Sequence, residues 1–233
     1  MAITAFDRPG SGRAGSRPPD VPDGCGALRA AAREPVAAVL AAALLEPVAD
    51  SARRRCDAAL DGIVAAGPPA DLRDRLALPL AAGTVADLLG APAHRQAPLL
   101  AWVRGDLPGE ELLAALRHLV ASPDVLDNGV LIHCIRGIRA GALDAEELVR
   151  AATALLATAP ALADRLTAAL TEAAPTGAGG PEETGAGGPE ELLGEAPVRL
   201  VTEIAERATA RRLPGLAPVP GDGRLVTWTE ARR

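Results

Sequence analysis

Apolar residues along this chain recur at three- and four-residue intervals far more often than at two, a periodicity that predicts helices almost throughout. From Glu34, with Pro35 suited to a first helical position, Val36, Val39, Leu40, Ala43 and Leu44 mark one face. A second helix is predicted after Pro47, where Val48, Ala52, Cys56, Ala59, Leu60 and Ile63 share a face until Gly67, Pro68 and Pro69 stop it. Cys56 then reads as a small core hydrophobe. Further helices are predicted over residues 82–89, 93–104, 108–121, 124–140, 145–158 and 161–173, punctuated by Pro92, Pro108, Pro123 and Pro160. Asp144, followed three positions later by Glu147, has the form of a capping box. Near the end, PVRLVTEIAERATARR reads as a helix and GRLVTW as a strand.

These elements divide the chain into four parts. Residues 1–26 mix Gly, Pro, Ser, Asp and Arg with few large apolar groups and are expected to form a flexible arm. Residues 27–174 form the helical domain. Residues 175–189 are a linker rich in Gly, Pro and Glu, in which the unit TGAGGPEE begins a perfect tandem duplication at Thr176. Doubling such a flexible segment adds little closure entropy, so the repeat is compatible with a neutral surface loop. Residues 190–233 supply the last helix and strand. The expected fold class is mainly α, with at most a short terminal β element.

Composition narrows the partners. Alanine supplies much of the 48% hydrophobic content, while aromatic residues make up 1%. Such a core packs closely but removes little apolar surface per residue. The formal charge is −6, and all 24 basic residues are arginine. An acidic chain without a basic stripe or interleaved aromatics lacks the footprint of a nucleic-acid binder. Arg53, Arg54 and Arg55 are the densest basic run, but consecutive helical positions spread about 100° apart, so a solvated face is expected. The opening residues lack the apolar core of a signal peptide, and no apolar run is long enough for a bilayer, which predicts a cytoplasmic protein. Cys25, Cys56 and Cys134 are odd in number and widely spaced, suggesting neither a disulfide framework nor a zinc pair.

The stretch DLRDRLALPLAAGTVADLLGAPAHRQAPLLAWVR, residues 71–104, resembles a phrase of the cytochrome P-450 family, the haem-thiolate monooxygenases, above all its soluble actinobacterial type. Asp71, Leu72, Leu76 to Leu80, Val85, Leu88, Leu89, Gly90, Pro92 and Trp102 carry the resemblance. DNGVLIHCIRGIRAGALDAEELVRAATALL at 127–156 is similar to the family's approach to its long central helix. PEELLGEAPVRLVTEIAERA at 189–208 and RLPGLAPVPGDGRLVTW at 212–228 resemble later segments, in family order. The resemblance implies a partial cytochrome P450-like helical domain.

Departures from the family pattern bear on function. The family holds haem iron through a cysteine in a loop shortly before its closing segment, and that thiolate drives O–O cleavage. Between Ala208 and Leu213 there is no such loop and no cysteine. Cys25, in GCGALRAAARE, echoes the end of that loop only faintly and at the wrong end of the chain. Where the central-helix motif AGHETT is expected, the chain reads Thr158, Ala159, Pro160; where the E-x-x-R brace is expected, Gly194 takes the arginine position. The resemblance therefore implies a truncated, haem-less relative, similar to the auxiliary proteins that activate deoxysugar glycosyltransferases in antibiotic pathways. On that reading the partner is a glycosyltransferase or another biosynthetic protein, no cofactor is needed, and the chain is not an enzyme. The alternative is a haem-independent enzyme, for example a cyclase, that uses the residual substrate cavity to hold reactive conformers. A decayed remnant is the third reading.

Other constellations yield no catalytic, cofactor-binding or metal residue. His133 and Cys134 are adjacent on a predicted helix and so diverge, and His94 and His118 are the other histidines. Cys134 is expected to face the core beside Leu131, Ile135 and Ile138. The glutamate pairs 110–111 and 146–147 fall in first helical turns, where the helix dipole favours negative charge. No Ser-His-Asp spacing, phosphate-cradling glycine loop or GxSxG elbow is present.

Overall fold

The computed structural model of the chain describes residues 45–122, 144–172, 195–219 and 222–229. The expected N-terminal arm, the helix from Glu34, the helix over 124–140 and the duplicated linker lie outside the described residues.

Helix α1, Leu45–Ala66, takes in Pro47 rather than starting after it. Proline is tolerated there because a first-turn N–H has no intrahelical acceptor. Val48, Ala52, Cys56, Leu60 and Ile63 are buried, as their spacing predicts. Gly67 closes the helix by donating to Ile63 O at 3.1 Å, and the chain enters a two-residue strand, β1, Ala70–Asp71. A π-helical turn, Arg73–Ala77, then runs directly into α2, Leu78–Leu89. The helix thus begins before the predicted 82, with Pro79 accommodated in its first turn.

Ten of the twelve residues of α2 are buried, which its sequence anticipates by being apolar on every side. Its one buried hydroxyl, Thr84 Oγ1, donates to Leu80 O at 2.8 Å. Gly90 ends α2 at φ 84°, a left-handed conformation that side chains disfavour, while its N–H reaches back to Ala86 and Asp87 carbonyls.

A 3-10 turn at Ala93–Arg95 leads to α3, Ala97–Arg104, and then α4, Gly109–Ala121. Helix α5, Ala145–Leu156, opens on the predicted capping box: Glu146 N donates to Asp144 Oδ1 at 3.3 Å and Asp144 N to Glu147 Oε2 at 3.2 Å. Helices α6, Ala159–Glu172, and α7, Glu195–Arg212, complete the set among the described residues. Helix α2 packs against both α1 and α6, α7 lies along α1 and α6, and α4 packs on α5. Their buried faces merge into one continuous core, mostly leucine and alanine.

The terminal β element is real and recruits more chain than its own sequence suggests. Strand β3, Asp222–Thr227, pairs antiparallel with β2, Ala217–Val219, on one side and with β1 on the other, giving the order β1-β3-β2. Ala70 faces Val226 and Asp71 faces Leu225. On the far side Ala217 faces Thr227 and Pro218 faces Val226, with an irregular step between Pro218 and Val219. Pro218 fits because β2 is an edge strand. Two of the segments that carry the family resemblance, the one opening at Asp71 and the one ending at Trp228, therefore meet in a single sheet.

Candidate functional site

The positions at which the family resemblance would place iron chemistry are occupied by continuous helix and a helix junction. Helix α7 runs unbroken through Arg212, and Leu213 N still donates to Thr209 O at 2.8 Å, so residues 208–213 form a last helical turn and not a ligand loop. At the other expected position, only Ala157 and Thr158 separate α5 from α6, and Pro160 sits in the first turn of α6. The hydroxyl there, Thr158 Oγ1, donates to Leu155 O at 2.7 Å and so serves the backbone. Gly194, Cys25, His133 and Cys134 lie outside the described residues.

Cys56 is the one cysteine among the described residues, and it is fully buried midway along α1. Burial, reinforced by the neighbouring Asp57 carboxylate and opposed by Arg211, pushes its thiol up to about 11. A metal-ligating cysteine must be a thiolate, a form this environment disfavours at neutral pH. The described residues thus do not fit a thiolate-held haem.

The best-organised polar cluster joins α1, α2 and the turn before α3. Asp87 Oδ1 accepts from Arg55 Nη2 at 2.9 Å and from Gln96 Nε2 at 2.8 Å, while Asp87 Oδ2 accepts from Arg55 Nη1. Gln96 Oε1 accepts from Arg55 Nη2 at 2.6 Å, and Gln96 Nε2 also donates to Ala91 O at 2.7 Å. Arg55 crosses α2 at Gly83, where a Cβ would lie 2.5 Å from Arg55 Nε. With side-chain exposures of 22% and 14%, the Arg55–Asp87 pair is largely desolvated and geometrically locked. Every partner in the cluster is another member or a backbone carbonyl, so it is a clamp between elements rather than a reactive centre.

Sequence reading missed this clamp. It expected Arg53, Arg54 and Arg55, spread about 100° apart, all to be solvated, whereas Arg53 and Arg54 are exposed and Arg55 turns inward. The available signal was Asp87, a lone carboxylate in an otherwise apolar helix, which must find a partner when its helix is enclosed.

The remaining predicted positions are peripheral. Glu110 and Glu111 open α4, and Glu146 and Glu147 open α5, as expected. Arg117 holds Glu146 through contacts of 2.8 and 3.1 Å, and this hydrogen bonding keeps the Glu146 carboxyl below its ordinary range. His94 and His118 are exposed on separate elements, and no group of three or more potential metal ligands occurs among the described residues. A cleft of about 130 Å³ lies between α1 and α7. That volume is below the roughly 300–1,000 Å³ of ordinary small-molecule pockets. No helix among the described residues is long and apolar enough to cross a membrane.

No protein-family model matches the sequence, and no curated protein matches it significantly. Solved structures do match. CYP105P1 in complex with filipin I shares 18% identity at a TM-score of 0.60, over 87% of this chain and 78% of that one. Ligand-free CYP105P1 gives 19% and 0.59 over 86% and 78%. TxtC, a cytochrome P450 of sequential aliphatic and aromatic thaxtomin hydroxylation, gives 17% and 0.54 over 83% and 77%. The likeness establishes a cytochrome P450-like fold.

Proposed function

We propose that this chain is a cytochrome P450-like scaffold without haem chemistry, acting as an auxiliary protein that stabilises the competent state of a glycosyltransferase in natural-product biosynthesis. The observation that carries the first half is α7: the stretch leading into the closing LPGL segment is helix with no sulfur in it, and the described cysteine is a buried, proton-holding thiol. A scaffold in this condition contributes no reacting group. It works by contact, binding the active conformation of its partner more tightly than the inactive one and so raising that conformation's population. Each tenfold preference corresponds to about 1.4 kcal/mol of differential binding.

The neighbours are consistent with such an ancestry. CYP105P1 is bound to filipin I in one of its structures, and TxtC hydroxylates thaxtomin, so scaffolds of this fold serve small-molecule tailoring. The glycosyltransferase itself is inferred from the sequence resemblance to auxiliary proteins. The test is to express the chain with a deoxysugar glycosyltransferase encoded beside it. Co-purification, and sugar transfer that rises on mixing the separately purified proteins, is the expected result. Transfer that is unchanged by the chain, or substrate turnover by the chain alone, overturns the proposal.

A further inference from the structure

We draw no further inference here: the strongest candidate, the half-buried apolar face of α5 at Ala151, Ala154 and Leu155, carries nothing because nothing in the structure shows what covers it.

Discussion

Raising the pH through the alkaline range probes the buried thiol of Cys56. The chain contains no lysine and no tyrosine, so above about pH 9 its side-chain titrations reduce to three cysteines, the arginines staying charged. Burial and Asp57 lift the Cys56 thiol from 9.0 to about 11. The folded chain therefore holds this proton more tightly than the unfolded chain does. Its contribution to stability is complete below about pH 9 and is lost as pH climbs through about 11. A displacement of two pKa units corresponds to about 3 kcal/mol, a large share of the roughly 5–15 kcal/mol that holds a typical domain. The assay is urea unfolding followed by far-ultraviolet circular dichroism at about pH 8, 9, 10 and 11, for the native chain and for Cys56→Ala. Truncating the thiol removes packing at every pH, but it abolishes the alkaline loss. Between the two extremes the native chain should lose about 2 kcal/mol more than the variant, since at about pH 11 the folded thiol is only half ionised. Parallel pH profiles for the two proteins would refute the reasoning.

The polar clamp and the surface pairs give contrasting expectations. Gly83→Ala places a methyl group against Arg55 and should displace the guanidinium from Asp87 and Gln96, lowering stability by about 1–3 kcal/mol in denaturant melts. Arg55→Met leaves the Asp87 carboxylate largely buried with only Gln96 to bind it. A loss of about 2–3 kcal/mol is expected, below the cost for a fully buried pair because both groups retain some exposure. By contrast Glu146→Gln, which breaks an exposed pair, should leave the thermal midpoint unchanged, while carboxyl NMR of the native chain should show Glu146 titrating below an ordinary glutamate.

Helices were legible in the sequence where their signals were local. The α1 face built on Val48, Ala52, Cys56, Leu60 and Ile63 and the Asp144 cap of α5 follow from spacing and side-chain chemistry alone. The start of α2 was misplaced because a helix apolar on all sides has no periodicity to mark its boundary. Strand β1 was invisible for a different reason. Two residues carry no pattern, and what makes Ala70 and Asp71 a strand is pairing with Val226 and Leu225, which arrive from the far end of the chain. The clamp was hidden likewise, since no local rule distinguishes the inward Arg55 from the outward Arg53 and Arg54 until α2 is packed beside them. The absence of a sulfur before the closing segment was readable at once, and so was the helix that fills the gap, since PVRLVTEIAERATARR reads as helix up to Arg212, where α7 ends.

Under the proposed function this P450-like scaffold acts through contact and not through iron. The most direct measurement adds equimolar haemin to the purified full chain, removes unbound haem by gel filtration, reduces the sample, admits carbon monoxide and records the absorption spectrum. A colourless protein fraction with no thiolate-type Soret band is expected. A retained red species showing that band, with carbon monoxide shifting it as a cysteine-ligated iron requires, would contradict the proposed function.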